Sequence, residues 1–200
     1  MSILKRDFYL RPNVVQIARD LLGKFLCTES DGELTSGIIC ETEAYAGITD
    51  RASHAYGDRR TARTEIMYRV GGTAYIYLCY GIHSLFNVVT NEEGVPDAVL
   101  IRGIIPVDGT GIMLQRSGKV KVTNDFGIGP GRVSRILGIH YSWSGLDLLI
   151  ETGKNCKPAI WVEDRGIRID PSLILSGPRI GVDYAGDDAL LPYRFTWKKM

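Results

Sequence analysis

Long hydrophobic runs are missing from this sequence. No stretch stays apolar for the roughly 20 residues that a bilayer-spanning helix needs. The segment after Met1, "SILKRDFYLRPN", is polar and charged where a secretory signal would carry an apolar core. Neither spanning nor export is expected, and the chain reads as one that works in the cytoplasm. Cysteine is scarce too. Cys27, Cys40, Cys79 and Cys156 show no CxxC spacing, and three of them lie inside apolar runs, which predicts reduced, buried thiols. The three histidines show no HExxH spacing and no PCxxC follows His54, which removes zinc protease and zinc deaminase readings. No metal and no cofactor is expected. Nor does either charge dominate: 24 Lys and Arg against 23 Asp and Glu leave a net +1, so composition alone names no polyanionic partner. No repeat, linker or low-complexity tract interrupts the 200 residues, a length that suits one domain with a real core.

What charge there is lies unevenly. Five arginines between Arg51 and Arg69 face only Asp58 and Glu65, and five basic residues between Arg116 and Arg135 face only Asp125. Glu163 to Asp188 leans acidic, with six acids against three arginines. Such segments either present a basic face to phosphates or are scattered, solvated side chains.

Strands outnumber helices. "PNVVQIARDLLGKF" predicts an early helix begun at Pro12-Asn13, striped by Val14, Ile17, Ala18, Leu21 and Leu22, and stopped at Gly23. "FLCTESDGELTSGIICETEAY" predicts a hairpin turning at Asp31-Gly32. "GTAYIYLCYG" is an aromatic strand ending at Gly81, "LFNVVTNEEGVPDAVLIRGIIPV" a second hairpin, and "GPGRVSRILGI" a short helix. Further strands are expected at "AIWVED" and "YRFTW". Elements joined by hairpins argue for an α+β fold with an antiparallel sheet.

Period-two alternation puts Ile38, Cys40, Thr42 and Ala44 on one face of the first hairpin and Glu41, Glu43 and Tyr45 on the other. The acidic face meets either solvent or a cleft near the loop that carries His54. With the second turn centred on Gly94-Val95, Asn87 lies across from Arg102 and Val89 across from Leu100, so that Asn87 and Arg102 share a face. That face is either a polar pocket or a solvated sheet edge. A glycoside hydrolase using Glu41 or Asp50 with Glu43 is one enzymatic reading. However, side chains two apart on a strand are only about 6.5–7 Å apart on one face, not across a cleft. "NDFG" lacks any HRD-type loop and "GIGPGR" lies in no βαβ unit, so kinase and dinucleotide-binding readings are discarded.

Five blocks in order, "ETEAYAGITDRASHAYGDRRTART", "GTAYIYLCYGIHSLFNVV", "AVLIRGIIP", "GPGR" with "LGI", and "GPRIGVDYAG" with "PYRF", resemble the 3-methyladenine (alkyladenine) DNA glycosylases. These are monofunctional base-excision enzymes without a helix-hairpin-helix. The resemblance runs from about residue 5 to the C-terminus. It implies a single α+β domain over residues 1–200, with a curved antiparallel sheet and peripheral helices, resembling the C-terminal domain of methionyl-tRNA formyltransferase. It implies a monomer acting on double-stranded DNA that contains damaged purines, nucleoid-associated in a prokaryote. By similarity, Glu43 is the general base for the hydrolytic water, while Arg102 and the Val182 carbonyl help hold that water. Tyr45, His54 and Tyr77 enclose the extruded base and the Ala52 carbonyl reads its edge. Asn87 and Leu100 discriminate against undamaged purines, and Tyr80 is the wedge left in the duplex. Tyr75 reads as sheet packing, Glu41 as structural support, and His83 and His140 as surface or packing residues. Arg59, Arg60, Arg63 and Arg132, the last at a helix start, are placed for phosphates. No lysine in these blocks is placed as a Schiff-base nucleophile, in keeping with simple hydrolysis. A non-catalytic nucleic-acid-binding module of the same fold is the alternative from another class.

Overall fold

A computed structural model describes residues 2–149 and 158–198. Its strands are β1 (Ser2–Ile3), β2 (Phe25–Ser30), β3 (Glu33–Tyr45), β4 (Ala74–Cys79), β5 (His83–Thr90), β6 (Asp97–Pro106), β7 (Ala159–Asp164), β8 (Ile174–Gly177) and β9 (Arg194–Trp197). Helices α1 (Arg6–Tyr9), α2 (Val14–Asp20), α3 (Thr110–Ser117) and α4 (Pro130–Leu137) lie between them. The strands join in one sheet of order β1-β7-β2-β3-β6-β5-β4, with β9 added beside β3 and β8 beside β9. Every pairing is antiparallel, as expected for an α+β chain of hairpins.

Local chemistry explains the elements. The Asn13 side chain accepts a hydrogen bond from the Gln16 amide and so caps α2, whose Val14, Ile17 and Ala18 are buried. Gly23, at φ +80°, takes the left-handed turn that follows, although the helix itself ends at Asp20. Asp31 and Gly32 both have positive φ between the paired residues Ser30 and Glu33, the two-residue turn that Asp-Gly favours. Pro130 opens α4 and Gly138 ends it in the left-handed conformation. Helix α3 lies in a segment with no helical expectation; it is bounded by Gly109 and Gly118 at positive φ and buries only Met113. Cys27 and Cys40 are buried as expected and Cys79 is half-buried at a strand end, while Cys156 lies outside the described residues.

Helices α2 and α4 cover one face of the sheet. Ile17, Leu21, Ile39, Phe86, Val99, Ile101, Ile104 and Ile136 meet there in the main core. Burying each such side chain contributes about 1.5–3 kcal/mol. Two pairings differ from expectation. A bulge interrupts the β3–β6 register between Ile39 and Thr42. It changes the parity of β3, so Ile38 packs with Phe25, Cys27 and Trp161 while Ile39, not Ile38, joins Ala44 in the main core. In the second hairpin Asn87 pairs with Leu100 and Val89 with Ala98, two residues from the expected register, because the connection is the longer loop 91–96 with Asn91 and Gly94 at positive φ. A slip of two preserves every side chain's face. Asn87 and Arg102 therefore still share one.

Candidate active site

The strands that give Ala44, Ile76, Phe86, Val88 and Val99 to the core turn their alternate residues to the opposite face. There Tyr45, Tyr75, Tyr77, Asn87, Leu100 and Arg102 wall a pocket of about 410 Å³, a size suited to a small organic ligand. The loop after β3 closes one side with Ala52, His54 and Arg63, and the segment before β9 closes another with Ile180, Val182 and Tyr184.

Glu43 has no exposed surface. Its Oε1 accepts from the Ile180 amide at 2.8 Å and lies 3.4 Å from Arg102 Nε, and its Oε2 accepts from the Tyr45 hydroxyl at 2.8 Å. Each of those three partners also lines the cavity, so the carboxylate sits directly behind the pocket wall. This position follows from β3 changing neighbours. Its first half pairs with β2, and β9 takes over at Glu41–Glu43 while β6 runs along the other edge. Glu41 shares Arg102 through a 3.3 Å bond and binds Arg194 at 3.1 Å, which fits its expected supporting place. Burial pushes the Glu43 carboxyl above its ordinary pKa, against the opposing pull of Arg102, the Ile180 amide and the Tyr45 hydroxyl. A buried carboxyl whose pKa is raised by its surroundings is a candidate for proton transfer.

His54 and two tyrosines form an aromatic corner. The His54 ring meets Tyr77 edge-on, centroids 4.7 Å apart, and its Nδ1 lies 2.8 Å from the Tyr75 hydroxyl. Burial first, then Arg63 and Arg59, lower the His54 pKa to about 4, so the ring is neutral at physiological pH. Tyr75 is buried, as a packing residue should be, but it also anchors His54, a contact the sequence reading missed. The Asn87 amide donates to the carbonyls of Tyr75 at 3.1 Å and Leu85 at 3.2 Å, which fixes the side chain beside Leu100. The Ala52 carbonyl accepts from Tyr184 at 3.1 Å, and the Val182 carbonyl accepts from the Ala185 amide at 2.8 Å.

Asp50 answers the glycoside hydrolase reading. Both its oxygens bind the Arg179 guanidinium, and it accepts further bonds from the Ala46 and Ala52 amides, both at 3.0 Å. Arg179 in turn donates to the Ala44 and Asp188 carbonyls and lies 4.9 Å from the Tyr45 ring centroid. A carboxylate so enclosed is a clamp, tying the His54 loop to the segment that carries Ile180 and Val182. The two residues are 129 apart in sequence, and no local spacing could have joined them.

At the β4–β5 tip, Tyr80 is 92% exposed and has φ +51°. A non-glycine residue in that region carries about 1–3 kcal/mol of strain, which marks the tip as a candidate functional position. Among the arginines with expected phosphate roles, Arg59 is exposed and Arg63 reaches the pocket, 5.8 Å from the Tyr77 ring centroid. Arg60 stacks on Tyr68 at 3.8 Å with Asp58 and Glu65 nearby, and Arg132 pairs with Asp125 at 2.7 Å. Among the described residues no helix is long and apolar enough to cross a membrane.

The sequence profile of the methylpurine-DNA glycosylases matches residues 7–200. A Chlamydia abortus protein provisionally named a 3-methyladenine DNA glycosylase is 44% identical over 194 residues, covering 96% of this chain and 97% of that protein. A protein of the same name from Desulfitobacterium hafniense is 41% identical over 203 residues, covering 98% and 95%. One from Bacillus licheniformis is 43% identical over 197 residues, covering 98% and 93%. With coverage and identity of that order across nearly the whole chain, this protein belongs to the methylpurine-DNA glycosylase family.

Proposed function

We propose that the protein is a monofunctional DNA glycosylase that extrudes alkylated or deaminated purines from duplex DNA and hydrolyses the N-glycosidic bond to leave an abasic site. The observation that carries this reading is Glu43: a buried carboxylate whose three partners are themselves walls of an aromatic pocket. Family membership and the names of the relatives support the glycosylase class. On this reading residues 1–200 are one catalytic domain, acting as a monomer near the nucleoid, with the sheet curvature of a formyltransferase C-terminal domain.

Extrusion costs a few kcal/mol, less for a damaged pair. Tyr80 at the exposed tip offsets part of it by stacking in the vacated space, worth about 1–3 kcal/mol per stacked base in single-strand binders. The base enters between Tyr45, Tyr77 and His54, where the electron-rich ring faces favour an electron-poor purine. Ala52 offers a carbonyl to its edge, and Asn87 and Leu100 restrict its outline. Cleavage develops positive charge on the sugar, which the Glu43 carboxylate stabilises while it takes the proton of the attacking water. The Tyr45 hydroxyl occupies one lone pair of Oε2, and the second is left to accept from the water. Arg102 and the Val182 carbonyl orient the nucleophile, and Glu41 keeps Arg102 in place. Arg59, Arg60, Arg63 and Arg132 meet phosphates around the lesion.

Incubation with duplexes carrying hypoxanthine or ethenoadenine, followed by hot alkali and gel analysis, tests the reading. The expected result is strand cleavage at the lesion only after alkali. Cleavage before alkali would contradict the monofunctional assignment, and lesion binding without base release would return the non-catalytic module.

A further inference from the structure

The hairpin that separates β4 from β5 has a second cavity on its other side. This groove, of about 430 Å³, is lined by Ile82, His83 and Ser84 of the hairpin, Gly131, Ser134 and Arg135 of α4, and Ile139. The two cavities share a wall. Cys79, Tyr80 and Pro130 line the first, and the residues that follow them in the chain line the second.

Three features suit the groove to an anion. Its polar lining is an imidazole, two hydroxyls and a guanidinium, with no carboxylate. The Ser134 hydroxyl is buried and has no hydrogen-bond partner among the described residues, a costly state in the absence of a ligand. Arg135 has no ion-pair partner among the described residues; its Nε donates to the Arg116 carbonyl at 3.1 Å, leaving the terminal nitrogens available. Arg132, by comparison, donates to the Asp125 carboxylate at 2.7 Å and the Asp125 carbonyl at 2.9 Å, so it meets a phosphate only by exchanging that pair. The His83 ring presses against the start of α4, where a Cβ on Gly131 would come within 3.0 Å of it. A larger residue there would push the imidazole outward by a few tenths of an ångström.

We propose that this groove holds a phosphodiester of duplex DNA, on the far side of the hairpin tip from the base pocket, through His83, Ser84, Ser134 and Arg135. The inference rests on the glycosylase reading and extends it: with a nucleotide in the first cavity and Tyr80 in the stack, the strand beyond the tip passes the second.

Fluorescence anisotropy of a labelled, undamaged duplex, titrated between roughly 50 and 200 mM salt, tests it. His83→Ala/Arg135→Gln is expected to bind about tenfold more weakly at the middle of that range, with a slope of log affinity against log salt shallower by about 1. Arg135→Lys keeps the slope of the wild type. Both side chains are exposed, so the folded core is untouched, and Arg135→Gln alone gives the same reading in direction should the double variant express poorly. Wild-type affinity and slope in the double variant would overturn the inference. A wild-type protein that binds no duplex and releases no base would instead overturn the glycosylase reading.

Discussion

Two carboxylates, Glu43 and Asp50, are buried, and they have different surroundings. Asp50 is matched by a two-pronged guanidinium and two backbone amides, and that guanidinium is itself held by two carbonyls. Glu43 has one amide, one phenol and an arginine that it shares with Glu41. The first environment stabilises the anion and closes around it. The second leaves the anion short of partners, and burial raises its pKa. Depth therefore does not distinguish the two acids, since both are buried; the completeness of the surrounding shell does.

Removing the underserved charge is the most direct way to break the comparison. Glu43→Gln is expected to keep lesion binding and lose on the order of 10²–10⁴ in single-turnover rate. Near-normal turnover would refute the role of Glu43. On the proposed role, the raised pKa also sets the pH dependence: the carboxylate is lost as pH falls through that value, so a pH–rate profile is expected to show its acid limb above the ordinary glutamate range. The same shift has a stability sign. Folding favours protonated Glu43, so its ionisation destabilises the fold as pH rises through the window above the ordinary value, and Glu43→Gln should melt higher than wild type at neutral pH.

Breaking the closed shell should act the other way round. Arg179→Met leaves Asp50 buried without its cation and is expected to lower stability by about 3–5 kcal/mol, read in denaturant unfolding. Asp50→Asn/Arg179→Met should recover part of that loss. Equal destabilisation in the single and double variants would show that the pair acts only through shape. The smallest effect is expected from Tyr75→Phe, which removes one hydrogen bond to His54 and should cost about 0.5–1.5 kcal/mol in unfolding experiments. It bears on activity only through the set of the His54 ring. Wild-type stability in this variant would mean that packing alone fixes the ring.

The parts legible in the sequence were those governed by neighbours along the chain. Asp31-Gly32 announced its turn, Asn13 its cap and Pro130 its helix start, each through backbone preferences local to a few residues. Alternation placed Glu41, Glu43 and Tyr45 on the pocket side, but the bulge near Cys40 changed the parity of the residues before it, and Ile38 was put on the wrong face. Loop chemistry between Asn91 and Pro96 set a register two residues from the expected one. The Asp50–Arg179 clamp, the Tyr75–His54 bond and the Asp125–Arg132 pair were invisible for a different reason. Each depends on which polar side chain happens to lie within reach after folding, and for the first that reach spans most of the chain.

The change of neighbours along β3 has a temporal consequence. Glu43 lies between β6 from mid-chain and β9 from near the end, and its Ile180 contact also arrives late. The carboxyl group at position 43 lacks part of its surroundings until Arg194–Trp197 pairs beside it. The shell around Glu43 is thus complete only when early, middle and late segments of the chain have come together.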